Sequence, residues 1–395
     1  MQLKRNIGLM YAIALLQGMV FYGPIATLYR QAQGVSLFQI TLIESISLAL
    51  LIVLEIPWGY VADRIGYKKT LVICNALFFV SKIVFWQAKG FGGFLAERLM
   101  LSVVLSGLSG CDSAYLYLSA GEKDSHRVFS VYSAMGTAGL VVASVVYSAL
   151  VGNDYALSAL LTVVSYGVSM LLTLALGDVR AEARPRVSLR QSAKEAVGAL
   201  KNGKRILLFV AAAALIAESS QTLTVFMNQP LYLRAGIAPA TMGYLNLIVT
   251  AAGLTAAFSG RLAERIGENR LCGLLLAVGG VASGAAALTV SPVFAVLCVT
   301  ALRLSASMFF PVSMRIQNRA VTTADRATML SIYSSMMNGL AIFTNLAFGK
   351  LADIGVGWAF ALGALFCGTG LALFVVWATS AKRRAAGTGD TATAE

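Results

Sequence analysis

Charged residues are scarce in this sequence. Asp, Glu, Lys and Arg make up 12% of the 395 residues, whereas hydrophobic residues make up 58%. A soluble globular chain has about 25% charged residues, so this chain lacks the polar surface that it would need in water. Long apolar runs recur along the whole length, and this composition indicates a polytopic membrane protein.

The residues that form metal sites and many catalytic sites are also scarce. Histidine occurs once, as His126 in a short polar segment, and the five cysteines lie inside apolar runs without CxxC spacing. These residues cannot form a zinc site or a histidine-based catalytic site, and we expect the cysteines to be buried thiols. The sequence also lacks the GxxxxGK[ST] pattern of a phosphate-binding loop. We therefore expect no metal, no cofactor and no enzymatic activity.

The sequence instead contains a series of apolar segments. About 20 mostly apolar residues cross the hydrocarbon core as a helix, and twelve segments have this length. None shows the ten-residue alternation of a transmembrane β-barrel, so we predict an all-α integral membrane protein. The predicted spans are residues 6–29, 38–62, 70–88, 94–118, 127–150, 155–177, 205–233, 239–263, 271–290, 292–317, 326–351 and 357–380.

The basic residues predict the orientation in the membrane. If the N-terminus is cytoplasmic, 24 of the 31 basic residues lie in inner loops and tails, and only four lie in outer loops. This asymmetry follows the positive-inside rule and predicts that both termini are cytoplasmic. It also explains the net charge of +13 as an orientation signal facing anionic lipid, so the expected partner is the bilayer rather than nucleic acid.

The only long polar segment predicts the domain organisation. It follows the sixth span and separates two sets of six spans. Within it, Ser188 and Gln191 form a capping-box pattern that favours a short helix on the membrane surface; a flexible tether is the alternative. The predicted boundaries are an N-terminal bundle at 1–178, a linker at 179–204, a C-terminal bundle at 205–380 and a disordered tail at 381–395.

A short charged loop occurs twice, 201 residues apart. "GYVADRIGYKK" begins at Gly59 and ends the second span, and "GRLAERIGENR" begins at Gly260 and ends the eighth span. The first glycine allows close helix approach, the second allows the turn that stops the helix, and the basic residues hold the loop in the cytoplasm. Two copies at equivalent spans indicate a parallel internal repeat. The predicted motif residues are Gly59, Asp63, Arg64, Gly66, Lys68 and Lys69, with Gly260, Glu264, Arg265 and Gly267 in the second copy.

These loops resemble the signature loop of the major facilitator superfamily. "LEIPWGYVADRIG" resembles the "EIPTGxxADxxGRK" form found in a group of bacterial members, and "SGCDSAYLY" in the fourth span is similar to their "SGaxxAxxYD" segment. The resemblance implies twelve transmembrane helices in two six-helix bundles, related by a parallel pseudo-two-fold repeat, around a cavity that opens to each side in turn. It also implies a bacterial cytoplasmic membrane.

The resemblance implies a gating role for the first loop. Asp63 would dock near a helix end of the opposite half, and Arg64 would pair with an acid near the inner end of the fourth span; Asp112, Glu122 and Asp124 are the candidates. The second copy departs from the pattern, because Glu264 replaces Asp and the pair Glu268-Asn269 interrupts the basic run. Whether the second loop also latches a gate is therefore left open.

Ionisable residues inside the apolar segments are candidate functional groups, because a charge at mid-bilayer is costly. Glu218 lies near the centre of the seventh span, and Gln221 and Asn228 follow it at helical spacing up to Pro230. Arg303 lies near the middle of the tenth span. In the family these two spans line the cavity, so Glu218 and Arg303 are expected to meet there. A static ion pair that fixes helix packing is the alternative.

The first half contains a second group of candidates. Glu55 and Asp112 lie in the inner parts of the second and fourth spans, as gate elements, proton carriers or structural groups. In the outer parts of the same spans, Glu44 and Arg98 are expected to pair. Lys82 lies close enough to the outer end of the third span to extend to the membrane surface. Two polar residues of the first span are also candidate cavity groups, Gln17 and Tyr22.

The sequence predicts a monomeric secondary transporter of a small organic solute, coupled to protons. The resemblance favours export, because many relatives with the EIPTG form are regarded as exporters of amphipathic compounds. The acidic groups Glu218, Glu55 and Asp112 suit a cationic substrate. The fifth span carries Gly136 and Gly139 but lacks the Gly-Pro ending of the family's antiporters. Proton-coupled uptake of a metabolite, possibly an anion, therefore stays open, as does a lipid-handling or sensory protein on the same scaffold.

Overall fold

Nearly all of the described chain is helical. The computed structural model describes residues 2–121, 124–179, 204–321 and 326–387, and no strand occurs within these ranges. The predicted linker helix and Glu122 lie outside them. The α-helices are α1 (Gln2–Gly18), α2 (Ala26–Ala32), α3 (Leu37–Ile65), α4 (Tyr67–Gln87), α5 (Gly90–Leu108), α6 (Cys111–Ala120), α7 (Ser125–Val146), α8 (Tyr155–Leu174), α9 (Lys204–Gln221), α10 (Asn228–Arg234), α11 (Met242–Leu254), α12 (Ser259–Ile266), α13 (Glu268–Leu288), α14 (Pro292–Ala320), α15 (Arg326–Ile354) and α16 (Val356–Gly387).

The helices confirm the predicted fold class. Eleven helical segments of the described chain are long and apolar enough to cross a membrane. The predicted eleventh span coincides with α15, which has 29 residues. Many large apolar side chains remain exposed, among them Leu288, Val281 and Phe343, as expected where helices face lipid. All five cysteines are buried and free, as predicted.

Four predicted spans are interrupted rather than continuous. The first breaks between α1 and α2 at a 3-10 turn (Gly23–Ile25), and the fourth breaks at Gly110, whose φ is +81°. The seventh contains a π-helical turn (Thr222–Phe226), so its break precedes Pro230 rather than lying at that residue. The eighth passes through a 3-10 turn between α11 and α12. Glycine and mid-helix π or 3-10 geometry commonly mark such sites.

Packing divides the chain into two compact units. One comprises the described residues of 1–184 together with Ile237–Leu247, and the other comprises those of 185–236 and 248–395. The first unit has a core cluster that includes Met10, Leu71 and Tyr115. The second has a larger cluster that includes Phe209 and Phe309. Side chains from several helices form each of the two clusters.

Two boundaries differ from the predictions. Helix α16 extends to Gly387, seven residues into the segment expected to be disordered, because Ala, Lys and Arg there are good helix formers. His126 lies in the first turn of α7 and is exposed, whereas a loop was predicted. Neither difference alters the path of a predicted span.

Candidate functional site

The two copies of the charged loop have the same backbone conformation. Gly66 has φ +87° and ψ 152°, and Gly267 has φ +88° and ψ 139°. The carbonyl oxygen of each glycine accepts a hydrogen bond from the amide four residues later, at Thr70 (3.1 Å) and Leu271 (3.0 Å). A positive φ favours glycine, which explains why both copies keep it. The repeat seen in the sequence is therefore a repeat of local structure.

The basic part of the first loop contacts the end of the sixth span. Lys68 Nζ lies 3.8 Å from Asp178 Oδ2, and both side chains are partly or largely exposed. Arg64 is exposed at the end of α3, as Lys69 is at the start of α4. The side chains of Asp63 and Glu55 lie outside the described ones, so docking by Asp63 stays a prediction.

The second loop carries an ionic contact directly before the position that corresponds to the basic pair of the first, since Glu268 aligns with Tyr67. Glu268, the first residue of α13, accepts hydrogen bonds from Arg315 Nη1 (3.4 Å) and from Arg319 Nη2, both on α14. Gly260 lies against the same Arg315 side chain. The acid that interrupts the sequence pattern therefore ties the loop to its own half. Glu264 and Arg265 are exposed in the last turn of α12.

The polar residues of the seventh span lie around its π-helical turn. Glu218 is half-buried and Gln221 is exposed at the end of α9, whereas Asn228 is buried at the start of α10. Thr222 Oγ1 donates a 2.8 Å hydrogen bond to Asn345 Oδ1 of α15, which fixes the turn within the second unit. The side chains differ in burial, so they do not form one uniform face.

Arg303 lies next to Gly253 of α11. A Cβ at Gly253 would lie 3.5 Å from Arg303 Nε, which is an ordinary van der Waals contact. Arg303 and Glu218 are both half-buried in the second unit, and their pairing stays a prediction. Sequence reasoning gave no indication that Gly253 is a neighbour of the guanidinium group.

The predicted groups of the first span take part in hydrogen bonds within the first unit. The Gln17 side-chain amide donates to Asn75 Oδ1, and the Gln17 carbonyl accepts from the Tyr166 hydroxyl (2.7 Å). Tyr22 is buried and accepts a 3.0 Å hydrogen bond from Lys82 Nζ. Gln17 thus joins three spans, and Tyr22 belongs to the charged cluster described below.

Asp112 lies where the fourth span restarts. It occupies the first turn of α6, directly after the break at Gly110, where helix amides and the helix dipole favour a negative charge. Its Oδ1 accepts from the Ser113 amide (2.7 Å), and its Oδ2 accepts from the Tyr132 hydroxyl (3.5 Å). This arrangement stabilises the carboxylate, and its place at the inner side of the membrane stays a prediction.

The outer half of the first unit contains two acid–base pairs. The predicted pair is confirmed, since Arg98 Nη2 lies 2.5 Å from Glu44 Oε1. The second pair joins Lys82 of α4 to Glu97 of α5, with Nζ 3.5 Å from Oε1. Lys82 is 4% exposed and Glu97 is fully buried. The expectation that Lys82 extends to the membrane surface is therefore wrong, because its ammonium group turns inward to a carboxylate.

Aromatic side chains enclose the Lys82 ammonium group. Its Nζ lies 5.7, 5.1 and 5.2 Å from the ring centres of Tyr22, Phe78 and Tyr166. Such distances allow cation–π attraction, which is strongest when the cation has lost its water. Tyr22 also stacks on Phe85 at 3.9 Å, which holds its hydroxyl toward the lysine.

Sequence reasoning missed Glu97, although a signal was present. Helices α4 and α5 are joined by only two residues, Ala88 and Lys89. In an antiparallel helix pair with so short a connection, residues at similar distances from the turn lie side by side. Lys82 and Glu97 have this relation, but the sequence analysis paired only the neighbouring Arg98 with an acid.

Comparisons with known proteins agree with this architecture. The model of the Major Facilitator Superfamily matches residues 7–271 and 210–393. The nucleoside transporter NupG superposes with a TM-score of 0.79 at 18% identity, covering 95% of this chain and 98% of that one. A bacterial homologue of the human lysosomal transporter Spinster, inward-facing and unoccupied, gives 0.69 at 18% identity over 95% and 94%. A POT family transporter in complex with 5-aminolevulinic acid gives 0.70 at 13% identity over 95% and 96%.

Sequence similarity to these proteins is low, and their likeness concerns the fold. No curated protein sequence matches this one. The family model, in contrast, covers almost the entire length in two overlapping segments, as expected of a chain with an internal repeat. The chain belongs to the major facilitator superfamily.

Proposed function

We propose that this protein is a secondary active transporter that moves a small organic solute by alternating access and couples this movement to protons. The observation that carries the proposal is the half-buried carboxylate of Glu218, at the point where α9 gives way to a π-helical turn. Burying an ionisable group within a membrane span costs free energy, so such a group is a candidate functional residue by default. Interrupted helices at such depth provide backbone that can bind or rearrange.

The favoured direction is export of a cationic or amphipathic compound. Acidic groups inside spans attract cations, and a carboxylate that binds either a proton or a cationic solute exchanges one for the other. Glu218 would carry this exchange, with Gln221 and Asn228 as neutral hydrogen-bonding groups. Glu55 and Asp112 would act near the cytoplasmic side. The first charged loop would then act as a gate element, with Asp63 and Arg64 as its latch.

One observation favours a second candidate, the uptake of an anionic metabolite. Arg303 is half-buried on a membrane helix and lies beside Gly253 rather than a bulkier residue. The planar donors of a guanidinium group in a membrane span suit bidentate binding of a carboxylate or phosphate. The same proton coupling would then drive symport instead of exchange.

Proton movement in proteoliposomes tests both candidates. Purified protein is reconstituted with a pH-sensitive dye inside, and cationic amphiphiles, sugars, amino acids and organic anions are added in turn. We expect one class to drive proton flux in the wild type, with little flux in Glu218→Gln. Asp154→Asn is the matched control, because it neutralises a carboxylate outside the spans, and Asn can replace Asp as the N-cap of α8.

The sign of the proton flux separates the candidates. Protons that move against the solute indicate exchange and export, and protons that accompany the solute indicate symport. Solute movement without protons would contradict coupling. If no solute of the panel moves although the protein is folded, the transport proposal fails and a lipid-handling or sensory role takes its place.

A further inference from the structure

The carboxylate of Glu97 has too few partners for a buried charge. Its side chain is fully buried, and neither oxygen has a hydrogen-bond partner among the described residues. Lys82 Nζ is 3.5 Å from Oε1, close enough for an ion pair. A buried carboxylate normally accepts several hydrogen bonds, because the attraction to one cation does not offset its loss of water. The ionised form of Glu97 is therefore poorly supported in this conformation.

Lys82 is much better supported than its partner. Its ammonium group donates to the Tyr22 hydroxyl at 3.0 Å and faces three aromatic rings. These contacts stabilise the cation even when no carboxylate charge is present. If Glu97 gains a proton, Lys82 therefore keeps favourable contacts. Lys82 has contacts that stabilise its charge, whereas Glu97 has no hydrogen bond to stabilise its own. Glu97 is therefore the group that changes charge.

The neighbouring pair provides a contrast within the same helix. Arg98 and Glu44 are joined by a 2.5 Å contact with hydrogen-bond geometry, and both side chains are partly exposed, at 23% and 12%. A short charge-assisted bond of this kind compensates the charge of the Glu44 carboxylate. Glu44 and Glu97 thus lie close together in the fold but differ in how well their charge is compensated.

The internal repeat indicates that the fold does not require the Lys82–Glu97 pair. Helices α4 and α13 both have 21 residues and follow the equivalent glycines of the two loops. Counted from those glycines, Lys82 corresponds to Ser283. Glu97 corresponds to Cys298, or to Val299 if the count begins at the helix start. The second half therefore forms the same helix hairpin without a charge at either position.

We propose that Glu97 is a proton-binding site of the transport cycle, with Lys82 as its counter-ion and Tyr22 as the group that holds Lys82 in place. This inference deepens the proposed function and rests on it. A Glu97 oxygen takes up the proton from water when the site is open to solvent. The proton is held while the site is closed to solvent, and Glu97 is fully buried in this structure. The proton returns to water when the site opens again.

The charge balance of this step is simple. Proton binding turns the Glu97 carboxylate into a neutral carboxyl group, Lys82 keeps its three protons, and the net charge of the pair rises from zero to plus one. The aromatic rings and the Tyr22 hydroxyl stabilise the added charge. The titratable and charged groups that interact with Glu97 or with its neighbours Tyr22 and Arg98 are Glu44 on α3, Lys82 on α4, Tyr29 and Arg30 on α2, Tyr22 after α1, Tyr166 on α8 and Arg98 on α5 itself.

Infrared difference spectroscopy on the full-length protein in lipid tests the site directly. The carbonyl stretch of protonated carboxyl groups is followed between about pH 4 and about pH 10, which brackets the titration of carboxyl groups. We expect a band that grows as the pH falls and is missing from Glu97→Gln. Glu44→Gln is the matched control and keeps the band. Identical titrations of the wild type and Glu97→Gln would overturn the proposal.

Two further variants keep the test decisive. Lys82→Met removes the counter-ion, and an unpaired buried carboxylate takes up a proton. Its band should therefore be present at every pH tested, and a titration like that of the wild type would overturn the assignment of Lys82. If Glu97→Gln does not insert stably, Glu97→Asp keeps a carboxyl group at altered distance from Lys82. Its band should then titrate with a shifted midpoint, and an unshifted midpoint would count against the site.

Transport measurements separate this inference from the proposed function. In proteoliposomes, Glu97→Gln should lose solute-driven proton flux but retain exchange of labelled solute across the membrane. Glu97→Gln with unchanged proton flux would overturn the role of Glu97, even if the protein is a proton-coupled transporter. If wild-type solute movement proves independent of protons, the proposed coupling fails, while the infrared titration still decides whether Glu97 binds a proton.

Discussion

At the scale of single residues, the outer cluster shows how burial and partner number determine what a charge can do. Glu44 and Glu97 are both acids in membrane spans, but one has a short bond to Arg98 and the other has only an ion-pair contact with Lys82. Desolvation raises the free energy of the less supported anion. The Lys82 contacts with Tyr22 then determine whether the site tolerates a neutral Glu97.

We predict that Tyr22→Phe weakens this site without disturbing the helices. Phe keeps the stacking on Phe85 but removes the acceptor for Lys82 Nζ, and a hydrogen bond to a charged group contributes about 1.5–3 kcal/mol. Solute-driven proton flux should fall while solute exchange continues. Tyr29→Phe is the control, because it removes a neutral bond to the Trp86 carbonyl oxygen near the same ring. Equal effects of the two variants would contradict the prediction.

The sequence allowed the Glu44–Arg98 pair to be predicted but not the inward direction of Lys82. A lysine near a helix end reaches either water or a neighbouring helix, and the choice depends on the rotation of α4 about its axis. Apart from Ser81, the residues from 76 to 86 around Lys82 are apolar, so no amphipathic pattern defines that rotation. The position of Glu97 on α5 supplies the missing information only when the hairpin is known.

At the scale of helices, close packing depends on glycines that the sequence analysis connected with antiport instead. A Cβ on Gly139 of α7 would overlap the Leu15 carbonyl oxygen of α1, and a Cβ on Gly18 would overlap that of Gly136. Small residues let helix backbones approach in membranes. The contact joins the first and fifth spans within one unit, next to the break after α1.

The α1–α7 contact predicts opposite effects of two similar substitutions. Gly139→Ala should lower the thermal stability of the purified protein, because overpacking costs about 1–3 kcal/mol. Gly136→Ala, less than one helical turn away, places its Cβ 3.9 Å from the Ala14 carbonyl oxygen, an ordinary contact. Since alanine is the better helix former by up to about 1 kcal/mol, this control should be neutral or stabilising. A Gly139→Ala protein as stable as Gly136→Ala would show that the helices do not pack this closely.

Helix interruptions were harder to predict than helix positions. A window of about 20 residues locates a span, but it averages over the single residue at which the backbone turns. Gly110 carried the signal for the break in the fourth span, since it takes φ +81°. The π-helical turn at Thr222–Phe226 has no glycine or proline within it, so no residue type marked it in the sequence. A hydrogen bond from the Thr222 hydroxyl to Asn345 holds the turn against α15.

At the scale of the whole molecule, the two compact units are not continuous in sequence. Residues Ile237–Leu247, at the start of the eighth span, pack with the first unit. Asn246 Nδ2 donates to Ser144 Oγ (2.9 Å), and the Tyr244 amide donates to Ser148 Oγ (3.2 Å). Sequence reasoning located the repeat and the spans from hydropathy and from the two loops. It had no information on which helix ends meet, because hydropathy and loop motifs do not report tertiary contacts.

The last prediction concerns this contact between the fifth and eighth spans, which lies within the first unit. Gly243 permits it, because a Cβ there would overlap the Ser144 carbonyl oxygen. In a protein carrying Ser148→Cys, adding Gly243→Ala should raise the labelling rate of the new thiol by a water-soluble maleimide. The open population should increase about tenfold for each 1.4 kcal/mol of overpacking. The five native cysteines are buried, which keeps background labelling low, and Gly339→Ala is the control because its Cβ would meet no atom within 4 Å. Unchanged labelling in a folded Gly243→Ala protein would mean that the contact at Gly243 does not control access to Ser148.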